Sequence, residues 1–530
     1  MCQYTMRVCM VLLAVQIANA ATRYVVPPET PEVTPTTNYT SWATAATNIQ
    51  QAVDVASAGD LIFVTNGTYA LTGPITIASA ITLRSFKDGV TDRDGTVLDG
   101  GFPTATNRCV YVNNAAAVID GFTITNGYAA TNSLLGYGGG FYLNMKGVVT
   151  NCVVAGNRAE ARGGGGYLIS NGDARIVDSL IVGNSAWRDF TNVVNGLIVT
   201  NAAALGGGLY SYKSVVSNCT VRGNSARSGG GVYMFAGNST DGDGRLVGCL
   251  IEGNASRVGV PGEGGGGVYM QAKGTIANCS VISNTAVSFN GKTAYNAGVN
   301  LGEGGVLKDS LVAYNSGAGY GGGVSVGINR SVTNCVIRNN SASYGGGVYL
   351  SGGLLTHCTL VSNSSAAFVQ GGILRNSLVA NNSGGIWANS AGGGTYQNCT
   401  IVSNVGPGIL IGQNANAITG FVENCIVYYN SVANYSKTAA AGIVFTNSCT
   451  FPMSAGAYDV GVVTNVPGFV NYLAGNYRLT GSSPCINKGV FRTWMTGAVD
   501  LEGAPRIIGK AVDMGAFESP PPRGTLLAVF

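Results

Sequence analysis

Between residues 151 and 430 the chain repeats one seven-residue phrase eleven times: a polar residue (glycine in one copy), Cys or Ser, any residue, Val, Ile or Leu, two unrestricted residues, then Asn. The copies end at Asn157, Asn184, Asn224, Asn254, Asn284, Asn315, Asn340, Asn363, Asn382, Asn404 and Asn430, at intervals of 19 to 40 residues, most of them 22 to 31. Such recurrence marks a solenoid, in which each unit buries its apolar face against the next. Within each phrase the second and fourth positions, such as Cys219 and Val221 or Cys335 and Ile337, alternate with their neighbours, which sends both to one face of a strand. Helical periodicity is never sustained inside the repeats, and Gly or Asn interrupts every segment, so helical and leucine-rich repeats are excluded. A parallel β-helix remains.

A second element, Gly-Gly-Gly-apolar-Tyr, falls between phrases at Gly138 to Tyr142, Gly206 to Tyr210, Gly229 to Tyr233, Gly265 to Tyr269 and Gly345 to Tyr349. It reads as a tight bend followed by a strand, glycine letting successive coils approach closely. If Val232 and Met234 face inward, alternation turns Tyr233 outward, and the same logic exposes Tyr142, Tyr210, Tyr269 and Tyr349 along one side of the rod. This row is the candidate binding surface for sugar rings or a protein partner, and stacking that only stabilises neighbouring coils is the competing role.

Thirteen cysteines suggest a disulfide framework, but their positions argue otherwise. Cys152, Cys219, Cys249, Cys279, Cys335, Cys358, Cys399 and Cys425 all fill the second repeat position, which Ser179, Ser310 and Ser377 take elsewhere. A site that accepts Cys or Ser calls for a small, weakly polar group in a tight interior, so a column of thiols is expected rather than bridges or zinc. The Asn column is read the same way: asparagine tolerates left-handed backbone, and its amide can bond the equivalent amide one coil away.

Organisation follows from composition along the chain. Residues 1–20, with Arg7, the apolar run Val8 to Ala18 and Ala18-Asn19-Ala20, read as a signal peptide. Residues 21–44 are expected to form a linker and N-terminal segment, 45–100 a cap and the first coils, 101–450 the repeats, 451–518 the C-terminal coils, and 519–530 a Pro-rich tail. The apolar side of Thr47 to Ala56, carrying Ile49, Ala52, Val53 and Ala56, predicts a short helix that covers the open end. About a dozen coils at a strand spacing of about 4.8 Å give a rod on the order of 60 Å long.

Residues 47 to 100, with Gly59-Asp60, Gly67-Thr68-Tyr69 and Val97-Leu98-Asp99-Gly100, resemble the opening of secreted right-handed β-helix proteins of the pectate-lyase-like superfamily. The middle, with its apolar-x-x-Asn and Gly-Gly-x-apolar-Tyr units, resembles chlamydial polymorphic outer-membrane proteins, which are surface adhesins. Tyr477-Arg478-Leu479, Ser482-Ser483-Pro484, Asp500, Gly503, Arg506 and Asp513-Met514-Gly515-Ala516-Phe517-Glu518 are similar to bacterial choice-of-anchor Q domains. These resemblances imply an all-β fold, a single-stranded right-handed parallel β-helix (solenoid) with a short N-terminal capping helix. They imply a scaffold rather than one chemistry.

Pectin-cleaving β-helices use acidic residues around calcium with an Arg or Lys base, or facing Asp residues. Here Asp178, Glu252, Asp309 and Glu423 are spread along the rod, and His357, the single histidine, sits at a leading repeat position as a turn substituent. Asp92-Arg93-Asp94-Gly95 and Asp241-Gly242-Asp243-Gly244 read as turns. No catalytic set, metal site or cofactor is assigned; calcium enters only under a lyase reading. A net charge of +4 without a basic patch gives no reason for nucleic acid, and the mature chain has no apolar run long enough to span a membrane as a helix. The expected protein is secreted or cell-surface associated and acts in adhesion or in recognition of a polysaccharide or cell-surface partner. The alternative is a polysaccharide lyase or glycoside hydrolase acting on acidic polysaccharide. A third reading is a shell or matrix component with no saturable ligand. Nothing in the sequence assigns an oligomeric state.

Overall fold

Each seven-residue phrase turns the chain twice, because two of its positions adopt left-handed backbone. The first position does so in Asn218 (φ 52°), Asn334 (φ 52°) and Asn424 (φ 52°), and the sixth in Gly223 (φ 63°), Ser283 (φ 56°) and Asn339 (φ 55°). Each reversal aims the following side chain, Cys or Ser and then Asn, into the coil. The left-handed residue is thus the one before the ladder asparagine and not that asparagine, which corrects the expectation that the ladder sits in left-handed backbone.

The computed structural model describes residues 20–520, apart from 114, 131–135, 171–173, 188–191, 195–196, 200–203, 237–243, 259–263, 289–294, 390–392, 413–418, 439–440, 453–459 and 510. The expected signal peptide up to residue 19, the acidic turn at 241–243 and the tail beyond 520 lie outside the described residues.

Three parallel sheets of 28, 15 and 7 strands build the coil, the smallest of them confined to the coils between Tyr128–Ala129 and Ser316–Gly317. One turn shows the pattern: Val215–Ser217 in the long sheet, Thr220–Arg222 in the 15-stranded sheet, Ser225–Ala226 in the 7-stranded sheet, then Val232–Phe235 back in the long sheet. Parallel strands of one sheet joined through the others make the crossover whose hand is right in nearly all proteins. The fold is a right-handed parallel β-helix. Gly229 opens the return bend at φ +63°, and a Cβ on Gly230 would lie 2.3 Å from the Ala255 carbonyl oxygen, so no side chain fits where the coils stack.

Inside, aliphatic, thiol and amide side chains form separate columns. Cys152, Cys219, Cys249, Cys279, Cys335, Cys358, Cys399 and Cys425 are buried free thiols, and burial pushes Cys152 up to about 12, so it stays protonated. Every ladder asparagine is buried. Asn224, for example, donates its backbone and side-chain N–H groups to Asn254 Oδ1 at 2.9 and 3.0 Å, and also reaches the Ile181 carbonyl at 3.0 Å.

The ends are closed differently. Helix Ile49–Asp54, capped by Asn48, buries Ile49, Ala52 and Val53 against the first coil. Within the expected linker, Thr22–Val25 forms the outermost strand, in parallel register with Leu61–Val64. It is fixed by a buried ion pair between Arg23 and Asp60 (2.9 Å) and by Tyr24 packed 4.3 Å from Trp42. Four residues beside prolines carry too little alternation to read as a strand.

At the other end residues 466–518 add no coils. They fold back as a strap along the 15-stranded sheet, with one short antiparallel hairpin, Phe469–Asn471 with Asn476–Leu479. The strap covers Ala380 and Val402 with Tyr477, Ala516 and Phe517, and Ile426 with Leu479 and Met514. It also bonds the row of leading repeat residues: Asn424 exchanges two 2.8 Å bonds with the Val490 backbone, Asn376 donates to the Val499 carbonyl at 2.8 Å, and His357 Nε2 lies 2.9 Å from the same oxygen.

A buried charge cluster locks the strap. Arg506, fully buried, pairs with Glu518 at 3.0 Å while Asp500 and Asp513 lie close by, so three carboxylates surround one cation. Burial, opposed by Arg506 and helped by Asp513 and Asp500, pushes Glu518 up to about 8. A carboxyl raised above its unfolded value of 4.5 contributes most below that pH and loses its contribution as pH rises through about 8. We therefore expect amide hydrogen exchange in 500–518 to quicken across that window, and Glu518→Gln to flatten the dependence. A pH-independent exchange rate, after correction for intrinsic chemistry, would contradict this.

Candidate functional site

The outer face of the long sheet carries one continuous row in register: Tyr111, Tyr142, Tyr167, Tyr210, Tyr233, Tyr269, Asn300, Ser325, Tyr349, Phe368 and Trp387. In parallel in-register sheets the same position recurs once per coil, so its side chains stack along the rod axis. From Tyr167 to Tyr269 the rings lie 4.9, 5.2 and 5.1 Å apart and within 14° of parallel.

The row faces out of the coil, but its middle is not open surface. Tyr210 and Tyr233 keep only 3% and 4% of their area exposed, because each ring covers the next. Arg162 adds its guanidinium 5.1 Å from the rings of both Tyr137 and Tyr210. Burial pushes Tyr142 up to about 12 and raises Tyr210 further. Of the five tyrosines singled out by sequence, Tyr142, Tyr269 and Tyr349 are half-buried, whereas Tyr210 and Tyr233 belong to the packed column. Truncating Tyr233→Ala should cost about 3 kcal/mol, the usual scale for removing a large buried ring with two stacking partners, measured by urea unfolding.

The column breaks once. Between Tyr269 and Tyr349 two coils place Asn300 and Ser325 where rings stand elsewhere, leaving about 14 Å, or three strand spacings, between the flanking tyrosines. The break opens a groove of about 420 Å³ lined by Tyr269, Gln271, Tyr295, Asn296, Arg330 and Tyr349, with Asn300 and Ser325 within it. Tyr295 heads a second stack, with Tyr320 at 5.2 Å and Tyr344 4.9 Å beyond it, that walls one side.

Two residues that line this groove each keep one buried polar atom without a hydrogen-bond partner. Arg330 Nε is buried without an acceptor, and its guanidinium makes no ion pair among the described residues; burial lowers its pKa, with Tyr269 and Glu303 opposing. Asn296, 3% exposed and in left-handed backbone at φ 56°, holds a buried Oδ1 with no donor. Unsatisfied buried polar atoms cost about 1–3 kcal/mol each, so a cluster of them beside open volume marks a place where a ligand gains more than on ordinary surface.

The other groups weighed from sequence lie elsewhere. Glu252 pairs with Arg222 at 2.8 Å, Glu423 with Arg492 at 2.7 Å, and Asp309 accepts from Asn334 at 2.8 Å. Asp92 is a turn residue, accepting from Gly95 N–H and from Asn66. Among the described residues no three His, Cys, Asp or Glu side chains gather to hold a metal ion.

Stacked coils with a slot cut into an outer aromatic column define a parallel β-helix protein. No protein-family model matches the chain, and no curated protein matches it. Among solved structures it is similar to the pectate lyase Pel9A, at 15% identity over 95% of this chain and 98% of that one, with a TM-score of 0.25. It is also similar to the catalytic unit of a GH87 α-1,3-glucanase from Streptomyces thermodiastaticus, at 15% identity over 74% of this chain, with a TM-score of 0.34. The chain spans 64% of that unit's length. A third similarity, to the Agl-KA catalytic domain, has 13% identity, covers 81% of this chain and 68% of that one, and has a TM-score of 0.38.

Proposed function

We propose that this chain is an exported, surface-associated β-helix that recognises a glycan in the slot between Tyr269 and Tyr349. The observation that carries this reading is the two-coil break in an otherwise continuous ring column, with Arg330 and Asn296 left unsatisfied inside it. A pyranose is about as thick as the missing rings, and its C–H face stacks on a tyrosine. Its oxygens accept from the Arg330 guanidinium, and its hydroxyls donate to Asn296 Oδ1 once that side chain turns into the slot. The A-x-A sequence near Ala20 supports export, and the likeness of the repeats and the C-terminal segment to polymorphic outer-membrane proteins and anchor-Q domains supports a role in adhesion at a cell surface.

The test is titration against a panel of neutral and acidic oligosaccharides. Tyr269→Ala and Arg330→Ala should each weaken binding about tenfold or more, as loss of a central anchor does, while Tyr142→Ala, outside the slot, leaves it unchanged. Equal binding by all three variants would sink the assignment. The catalytic alternative is read in the same experiment: unsaturated products absorbing in the ultraviolet from polygalacturonate, formed only with calcium, would replace recognition by a lyase activity.

A further inference from the structure

Nine of the eleven described cysteines lie inside the coil, packed with its aliphatic columns, and two do not. In the last coil Ser448 takes the inward position, its Oγ accepting the Cys425 N–H at 3.0 Å, and Cys449 falls one place later. It pairs in register with Ile426 on the outer face of the 15-stranded sheet. The other outlier, Cys485, belongs to the strap. Both are fully buried in one cluster with Ile426, Leu479 and Met514, which brings a thiol of the last coil and a thiol of the strap into the same apolar pocket. Cys485 is held there from both sides, its N–H bonding Ser483 Oγ at 3.1 Å and its carbonyl accepting Met514 N–H at 3.0 Å.

We propose that Cys449 and Cys485 are a disulfide-forming pair that fastens the strap to the last coil. The interior thiols are poor candidates for the same chemistry, because in-register neighbours sit about 4.8 Å apart on rigid strands whereas a bridge wants Cβ atoms about 3.8 Å apart. Cys449 and Cys485 come from elements that no ladder pairs with each other, so the fixed in-register strand spacing does not apply between them. The oxidant is a small-molecule disulfide such as oxidised glutathione. One cysteine thiolate attacks it, giving a mixed disulfide and releasing one glutathione thiol. The second cysteine then attacks the protein sulfur and releases the other. Two electrons and two protons pass to the oxidant, and one S–S bond forms in the protein. Since both sulfurs are buried, the step belongs to folding or to moments when the strap is undocked.

The full chain refolded in a glutathione redox buffer, digested without reduction and mapped by mass spectrometry, should yield one cross-linked peptide joining Cys449 to Cys485. The nine interior thiols should remain alkylatable after denaturation. Protease cleavage within 466–518 should be on the order of tenfold slower in the oxidised than in the reduced protein, as closing a loop across the strap implies. Cys449→Val, which keeps an apolar group on the outer face, should fold with an unchanged circular dichroism spectrum and lose the oxidant-dependent slowing. Both cysteines remaining alkylatable after oxidation, cross-links among the interior thiols, or oxidant-dependent slowing that survives in Cys449→Val would each overturn the proposal. None of these outcomes depends on glycan binding.

Discussion

Replacing Asn254 by Ala should destabilise the coil by about 4 kcal/mol, because it leaves several buried polar groups without partners at about 1–3 kcal/mol each. Asn254 Oδ1 accepts the backbone and side-chain N–H groups of Asn224, and its own amide reaches the Val221 carbonyl and Asn284 Oδ1. No water replaces them, since the ladder is buried from Asn157 to Asn404. At the end of the ladder the cost falls. Asn430 is 8% exposed, yet its Oδ1 accepts the backbone and side-chain N–H groups of buried Asn404 at 3.1 and 2.8 Å, so Asn430→Ala should still lose about 3 kcal/mol, somewhat less than Asn254→Ala because water reaches part of the freed set. Solenoids lose stability locally. The effect is therefore read best by hydrogen exchange, with Asn254→Ala raising exchange in the coils from 215 to 285 before urea unfolds the rest. A loss at Asn254 no larger than the net worth of one ordinary hydrogen bond, about 1 kcal/mol, would mean that the ladder does not act as a buried network.

Arg506→Met should release the strap while the coil stays folded. The guanidinium bonds Glu518, the Asn376 side chain at 3.0 Å, and the carbonyls of Asp513 (3.0 Å) and Gly515 (2.7 Å). Methionine fills the space but leaves Asp500, Asp513 and Glu518 together without a cation, and stranding buried charge in this way costs about 3–5 kcal/mol. Arg506→Lys should recover only part of the loss, because an ammonium cannot span the divergent acceptors that the planar fork reaches. Limited proteolysis reads the outcome: cleavage confined to 466–518 with a protected core. Resistance of the strap equal to that of the unaltered chain would show that the apolar contacts of Tyr477 and Phe517 suffice without the cluster.

The fold was legible because its corners demand particular chemistry. A buried, coil-spanning amide and a small interior thiol or hydroxyl leave a fixed-spacing trace that no surface position would keep. The column was legible only in part. Tyr167 was missed because Gly166 holds the apolar place before it, and Phe368 and Trp387 because they are not tyrosine. The slot itself has a sequence trace. Gly321-Gly322-Gly323-Val324-Ser325 and Ala297-Gly298-Val299-Asn300 repeat the bend-and-strand frame with Ser and Asn in the tyrosine's place. Burial of Tyr210 and Tyr233 was not legible, since alternation gives the direction of a side chain but not what stacks above and below it. Nor was the strap, whose bonds to Asn424 and Asn376 span more than 60 residues of sequence and follow no period.

The most direct test is to fill the slot. In Asn300→Tyr combined with Ser325→Tyr the ring column becomes continuous from Tyr111 to Trp387, and the groove beside Arg330 closes. Titrated against the glycan panel, this variant should lose binding that the unaltered chain shows, with a melting temperature equal or higher, because added rings stack as their neighbours do. Undiminished glycan binding by the filled column, or no binding by the unaltered chain, would contradict the account.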